Sequence, residues 1–356
     1  MHKNRIGALI KKFENYNIDG LIVTKPANTF YLTAFSADRI ALVINPKKNF
    51  VITDFVYLEA ASRFFGDFEV FITKDKITLS EAISMAADKY KIKRLGFESL
   101  SLSFSSYKKI KKALKEKLLV ATENIIESIR EIKENDEILA LKKVLKITAE
   151  TFKDVKKRLR PEITELAVAK YIKETFIKNG ADGCSFEPII ATQPSASQPH
   201  YTPTLKRLGN NKAILVDMGA KLGGYNSDLT RMCSLGKIRS KFTSLYNILV
   251  DAQKRAIDRI RPGTKISAVD SAARQHIDSK GLGKFFGHAL GHGIGLETHE
   301  RPSISNSNKN FLKENMVFTV EPGIYIPGYG GLRIEETVRV CKGGCEVLTD
   351  DIDKSI

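Results

Sequence analysis

The chain is poor in cysteine and has no long apolar run. Four cysteines in 356 residues, Cys184, Cys233, Cys341 and Cys345, are too few for a disulfide scaffold. Cys341 and Cys345 enclose Lys342-Gly343-Gly344 at an expected turn and read as free thiols, with a redox or metal clip as the minor alternative. No segment reaches the roughly 18 consecutive apolar residues of a membrane-spanning helix. The opening MHKNRIGALIKKF lacks the apolar core of a signal peptide, so a cytoplasmic location is expected. Three motifs are also missing: a phosphate-binding loop, a dinucleotide fingerprint and a His-Glu-x-x-His zinc helix.

What is present describes a soluble, globular chain long enough for two domains, with 42% hydrophobic and 28% charged residues. A net charge of +16 raises the question of nucleic acid, but the excess is diffuse: residues 1–130 hold 22 basic and 14 acidic residues. The densest run, Lys108, Lys109, Lys111, Lys112, Lys115 and Lys117, has few aromatics beyond Tyr107 and reads as a solvated helix face. No nucleic-acid partner and no membrane partner are expected.

Along the first third, apolar strand-like runs at 21–23, 41–44, 50–52, 70–72 and 94–97 alternate with helical periodicity at 57–65 and 79–90, the pattern of an α/β domain. The chain turns charged near 125–135, and the boundary is placed there. Helices are expected over 136–158, 162–179, 240–260 and 266–279, the last two separated by Arg261-Pro262-Gly263. The remainder is strand and turn.

Three of the six histidines fall in GHALGHGIGLETHERP, residues 287–302. His288 and His292 have i, i+4 spacing, but Gly291, Gly293 and Gly295 each weaken a helix by roughly 1 kcal/mol relative to alanine, so a glycine-bent loop aimed into a cleft is expected. A metal or substrate site then outweighs the simpler account, in which small residues let two sheets pack closely around a core histidine.

Two hairpins carry paired acids. In ILVDMG and YNSDLTR, a turn centred on Leu222-Gly223 sets Asp217 opposite Asp228, and a one-residue slip would put them on opposite faces. In VFTVEPGIY and LRIEETVRV, a turn centred on Gly328 sets Glu321 opposite Glu335. Like charges meeting on an apolar sheet are destabilising without a cation between them. Four carboxylates and His292 oversupply one divalent ion and suit two, roughly 3.5 to 4 Å apart, as in two-metal hydrolytic sites. Oxygen-dominated ligation favours Mn²⁺, Co²⁺, Fe²⁺ or Zn²⁺ over a thiolate-selected metal.

These stretches, VDMGA, YNSDLTR, GHGIG, VFTVEPGIY and GLRIEE, resemble the pita-bread-fold metallopeptidases, which include aminopeptidase P, prolidase, methionine aminopeptidase and the metal-free creatinase. The resemblance covers roughly 129–349, with a weaker echo in NTFYLTAF, residues 28–35. It implies an α/β creatinase/prolidase-like domain over 1–128. Over 129–356 it implies an α+β pita-bread catalytic domain, a pseudo-twofold curved antiparallel sheet backed by helices. It implies that Asp217 chelates one ion, that His292 and Glu321 hold the other, and that Asp228 and Glu335 bridge them, with Mn²⁺ or Co²⁺ favoured and Zn²⁺ or Fe²⁺ as alternatives. His200, His288 and His299 would bind substrate and stabilise the carbonyl oxygen, Glu321 would shuttle the proton, and Arg333 would orient Glu335 or another partner unless it is a surface arginine.

The implied activity is release of the first residue from peptides with proline second, by a homodimer. Ser303 follows His299-Glu300-Arg301-Pro302 where prolidases often carry arginine, so an aminopeptidase P-like enzyme is the leading expectation. A dipeptidase (prolidase), with Arg301 inside the motif as the substitute for that arginine, is the alternative, and a non-catalytic binding protein a remoter one.

Overall fold

The computed structural model describes residues 2–35, 37, 39–73 and 77–356, and the chain divides into two compact units, Met1–Arg130 and Glu131–Ile356. In the first unit β1 (Gly20–Val23), β2 (Ile40–Ile44) and β3 (Phe50–Thr53) are buried at every position. That burial is why their sequences run apolar without alternation. With β4 (Glu69–Ile72), β5 (Arg94–Glu98) and β6 (Leu118–Thr122) they form one sheet in the order β4-β3-β2-β1-β5-β6. The β1–β5, β5–β6 and β3–β4 pairs are parallel and the others antiparallel.

The helices of this unit are α1 (His2–Ile10), α2 (Phe13–Tyr16), α3 (Pro26–Thr33), α4 (Leu58–Phe64), α5 (Leu79–Lys89), α6 (Phe104–Leu114) and α7 (Glu127–Arg130). Thr78 and Glu81 close a capping box that starts α5, and the Ser103 side chain caps α6. The first four lysines of the run lie on α6 as expected, while Lys115 and Lys117 fall beyond its end. Ile110 and Leu114 are buried, while Lys108, Lys109, Lys111 and Lys112 are exposed.

The second unit repeats one plan twice: two helices, then antiparallel strands. α8 (Asn135–Arg158) opens with a Glu134/Glu137 capping box and ends on Lys156-Lys157-Arg158, each favourable to the helix dipole. α9 (Glu165–Lys178) follows, then β7 (Gly183–Cys184), β8 (Ile189–Thr192), β9 (Lys212–Met218), β10 (Ala220–Leu222), β11 (Tyr225–Asn226) and β12 (Leu229–Leu235). The second round is α10 (Ser240–Ile257) and α11 (Ile266–Ser279), then β13 (Gly291–Gly293), β14 (Glu300–Ile304), β15 (Val317–Val320), β16 (Gly323–Ile326), β17 (Gly330–Arg333), β18 (Glu336–Cys341) and β19 (Gly344–Val347). Each helix pair backs its own strands: Phe152 and Phe176 pack with Ile214, Val216 and Met218, whereas Leu249 and Val269 pack with Phe318, Val320 and Val338. This is the pita-bread architecture, α+β, preceded by an α/β unit.

Strand alternation sorts the chemistry. On β9, Ile214, Val216 and Met218 face the α8–α9 core, so Leu215 and Asp217 take the other face. In the second hairpin the even-numbered Phe318, Val320, Ile324, Leu332, Ile334 and Val338 fill the α10–α11 core. Thr319, Glu321, Tyr325, Arg333 and Glu335 therefore share the opposite side.

The first hairpin corrects the expected register. Asp217 lies opposite Thr230, and Leu222 opposite Tyr225. The turn is therefore Gly223-Gly224, with φ of 56° and 86°. A two-residue hairpin turn of this kind needs positive φ at both centres, which Leu222 would adopt only under strain. The shift is two residues, so Asp228 keeps the same face as Asp217 and becomes its diagonal rather than direct neighbour. The second register is as expected: Val320 pairs with Glu336 and Gly323 with Arg333, which places Glu321 across from Glu335. The four cysteines are free, and among the described residues no helix is long and apolar enough to cross a membrane.

Candidate metal centre

Three of the four acids sit where the ladders break, while Asp217 stays within β9. Glu321 and Pro322 interrupt β15 and β16, Ile334 and Glu335 interrupt β17 and β18, and Asp228 falls between β11 and β12. Sequence patterning predicted continuous strands there; the interruptions free these side chains from the pleat. His292 lies on neither a helix nor an open loop but on the three-residue β13, whose pairing with β14 shifts between His292 and Gly293. A Cβ on Gly291 would lie 1.8 Å from the Thr319 carbonyl oxygen and one on Gly293 2.0 Å from that of Arg301. These glycines are there for close strand approach, and that approach is what carries His292 to the acids.

A cavity of ≈ 1050 Å³ is lined by all nine residues singled out in the sequence: His200, Asp217, Asp228, His288, His292, His299, Glu321, Arg333 and Glu335. Within it the ligand atoms of Asp217, Asp228 and Glu335 all lie within 4.8 Å of one another, as do those of Asp228, His292 and His299. Asp228 belongs to both groups. The second contains His299 where the resemblance implied Glu321, because the Glu321 carboxylate is turned to His292: Nε2 is 3.1 Å from Glu321 Oε1 and 3.7 Å from Asp228 Oδ2. The His292 and His299 rings meet edge to face, 4.1 Å between centroids.

Arg333 is buried, not a surface arginine, and its partner is Asp217 rather than Glu335. Its Nε also donates to Thr230 Oγ1 at 3.0 Å, and one terminal nitrogen donates to Tyr325 Oη at 2.8 Å. Tyr325 Oη lies 3.2 Å from His288 Nε2, and His288 Nδ1 donates to the Ala289 carbonyl at 2.7 Å, so both ring nitrogens of His288 are engaged. His292 Nδ1 likewise donates to the Gly293 carbonyl at 3.1 Å, which directs Nε2 toward the acids. Thr319 links the two sides, accepting from the His292 backbone and donating to Glu321 Oε1, each at 3.1 Å. Thr230, Thr319 and Tyr325 escaped the sequence analysis. Only their even spacing from Asp228, Glu321 and Arg333 along the strands marks them.

The electrostatics call for positive charge. Burial, then Glu335, Asp217 and Glu321, push the Asp228 carboxyl well above the ordinary range. Burial, then Glu321 and Asp217, push Glu335 up to about 8. Burial also raises Asp217, against the pull of Arg333. Burial would raise Glu321 too, but the His292 hydrogen bond and the charges of His292 and Arg333 outweigh it and hold that carboxyl at about 2. Asp217 Oδ1 and Glu335 Oε1 are buried without a hydrogen-bond partner. Ionised buried oxygens lacking donors are what a divalent cation satisfies, so the residues present fit a metal.

A pH dependence follows for the metal-free protein. Glu335 has a folded pKa of about 8 against 4.5, so between those values the folded state holds a proton that the unfolded state has released. Stability must therefore fall as pH rises through that window, by up to about 1.4 kcal/mol per pKa unit for an isolated group. Asp228 acts in the same direction. Urea unfolding in chelator is expected to show lower stability at pH 8 than at pH 5, with saturating divalent metal removing the difference. A flat profile in chelator would contradict this.

Comparison with known proteins places this geometry. Residues 140–342 match the model of metallopeptidase family M24, and residues 5–132 that of the creatinase/prolidase N-terminal domain. The chain is 32% identical over 352 residues to the Xaa-Pro dipeptidase of Pyrococcus furiosus, covering 98% of each. The structure of an Xaa-Pro dipeptidase from Bacillus anthracis superposes with a TM-score of 0.96 at 33% identity, covering 100% of this chain and 99% of that one. The X-Pro aminopeptidase of Thermotoga maritima superposes at 0.88 with 32% identity, covering 97% and 99%.

Proposed function

The chain belongs to metallopeptidase family M24 and is a metallo-exopeptidase, and from that premise we propose that it is an Xaa-Pro dipeptidase working with two divalent ions. The leading expectation of longer peptides gives way to the dipeptide alternative, because named Xaa-Pro dipeptidases match over the whole chain in both sequence and structure. What carries the proposal is that full-length match together with the convergence of all five donor residues in one cleft.

Asp217, Asp228 and Glu335 would hold one ion, and His292 and Glu321 the other, with Asp228 and Glu335 shared. Mn²⁺ or Co²⁺ is the favoured ion, with Zn²⁺ or Fe²⁺ as alternatives. When bound, such ions supply a water activated near neutral pH and positive charge at the scissile carbonyl. The chain supplies the rest. Glu321, ionised above about pH 2, takes the proton and returns it to the leaving nitrogen of proline. His299 is held below the ordinary histidine value, by burial first and then by the His292 charge, so it stands neutral and able to donate a hydrogen bond to the carbonyl oxygen. His200 flanks the same cleft. His288, with both nitrogens occupied, orients Tyr325 and Arg333 and through them Asp217.

Phe186, Pro188, Ile189, Tyr201 and Phe285 form an apolar wall suited to a proline ring. Arg301 does not line the cleft, whereas Ser303, Lys170, Lys173 and Lys284 do; Lys173 is paired with Glu187, so Lys170 or Lys284 would receive a dipeptide's carboxylate. The missing arginine after Pro302, and the Thermotoga maritima aminopeptidase likeness, favour the second reading, cleavage of longer peptides. A homodimer and a cytoplasmic location belong to the same proposal.

An Xaa-Pro dipeptide assayed beside an Xaa-Pro-Yaa tripeptide separates the readings. The dipeptide is expected to be cleaved at least about tenfold better in kcat/KM, to become inert in chelator and to recover with Mn²⁺ or Co²⁺. Preference for the tripeptide would transfer the assignment to an aminopeptidase. Inertness of both in every metal would end the peptidase proposal.

A further inference from the structure

Residues 199–203 have neither helix nor strand, yet Pro199, His200, Tyr201, Thr202 and Pro203 all line the catalytic cavity. One buried side chain outside the cavity ties this segment down. Glu165, the first residue of α9, is 0% exposed. Its Oε1 accepts from the Thr192 backbone nitrogen at 3.0 Å and from Thr192 Oγ1 at 2.8 Å. Its Oε2 accepts from Tyr201 Oη at 2.8 Å, from Thr204 Oγ1 at 3.1 Å and from the Thr204 backbone nitrogen at 3.4 Å. The backbone nitrogens of Glu165 and Leu166 donate in turn to the carbonyls of Lys206 and Thr204, both at 2.9 Å.

Five donors thus converge on a side chain that, ionised, only accepts. The Thr192 end is the terminus of β8, a fixed point of the sheet. The Tyr201 and Thr204 end is the cleft wall. We propose that Glu165 is a positioning residue, whose carboxylate fastens the 199–204 segment to β8 and thereby holds His200 and Tyr201 against the substrate. It does not line the cavity, so its effect is transmitted through that segment.

Glu165→Gln is a selective probe. Each carboxylate oxygen accepts from a donate-only backbone N–H, but that of Thr192 is the closer, 3.0 Å against 3.4 Å for Thr204, so the amide oxygen stays on the Thr192 side and the amide NH₂ faces the Tyr201 and Thr204 donors. In the metal-free protein, hydrogen exchange is expected to quicken over 199–206 while α8, α10 and α11 stay as in the wild type. Tyr201→Phe, which removes one donor only, is expected to do the same to a smaller extent, and it serves if Glu165→Gln does not fold. The kinetic arm rests on the dipeptidase proposal. Glu165→Gln is expected to lower kcat/KM for an Xaa-Pro dipeptide by about 10- to 100-fold at unchanged metal content, and to cost less than about twofold when His200 is already alanine.

Unchanged exchange over 199–206 would overturn the inference, as would equal kinetic losses with and without His200. If the wild type does not cleave Xaa-Pro dipeptides at all, the dipeptidase proposal fails, and the exchange experiment alone decides what Glu165 holds.

Discussion

Asp228→Asn is expected to lower kcat/KM by at least about a thousandfold, roughly 4 kcal/mol of transition-state stabilisation, while raising the stability of the metal-free protein. The two effects share one cause. Asp228 stands in both donor groups, so losing its charge weakens the site for every ion held there. In the absence of metal the same carboxyl is a liability, buried beside Glu335, Asp217 and Glu321. Replacing it with a neutral isostere removes repulsion that also pushes up its neighbours. Thermal unfolding in chelator at pH 8 should therefore show a higher midpoint for the variant than for the wild type, and the order should reverse with saturating Mn²⁺. At pH 5 the difference in chelator should shrink, because Glu335, with its folded value of about 8, is then protonated and no longer repels Asp228. A variant less stable than wild type both with and without metal would mean that Asp228 is a structural residue.

Arg231→Met is expected to destabilise the protein by about 3 to 5 kcal/mol. Arg231 and Glu336 are both 0% exposed, paired at 3.0 Å. Arg231 also donates to the carbonyls of Glu335, Thr349 and Ile352, so one guanidinium ties β12, the chain at Glu335 and the C-terminal segment together. Methionine would remove that donor from all three carbonyls, of which Thr349's keeps the Ile352 N–H, and would leave Glu336 with Thr349 and Lys354 alone, the latter at 2.8 Å and partly exposed. Because the Glu335 backbone is one of the anchored points, weaker metal binding should accompany the loss. Adding Glu336→Leu removes the stranded charge and should restore a large part of the stability, since apolar replacement of a complete buried pair is often close to neutral. Chemical unfolding of the single and double variants measures both. A double variant no more stable than Arg231→Met would contradict the account.

How much of this was legible beforehand depended on whether the signal was local. The apolar strands of the first unit and the long helices declared themselves through burial periodicity and through stops such as Arg261-Pro262-Gly263. The second hairpin was legible because its turn and both strands lie in one continuous stretch, and Glu321 does lie across from Glu335. The first hairpin was read two residues out of register. A leucine was allowed into a turn that only Gly223-Gly224 satisfies; the direct pairing of Asp217 with Asp228 was lost to Thr230, and only their shared face survived, because the error was two residues.

Distant partners were hidden. Nothing near Arg333 indicates that it pairs with Asp217, 116 residues away, nor does the N-terminal end of α9 reveal that Glu165 reaches Tyr201. The glycines around His292 were read as bending a loop. Their reason is the near contact of β13 with Thr319 and Arg301, a constraint that exists only once three strands are assembled.

The central claim is that Asp217, Asp228, His292, Glu321 and Glu335 hold a pair of divalent cations. Anomalous diffraction from crystals of the Mn²⁺-loaded protein tests it directly. The account predicts two peaks per chain among these five side chains, roughly 3.5 to 4 Å apart, with Asp228 and Glu335 between them. No peak there, or manganese bound only elsewhere in the chain, would contradict it.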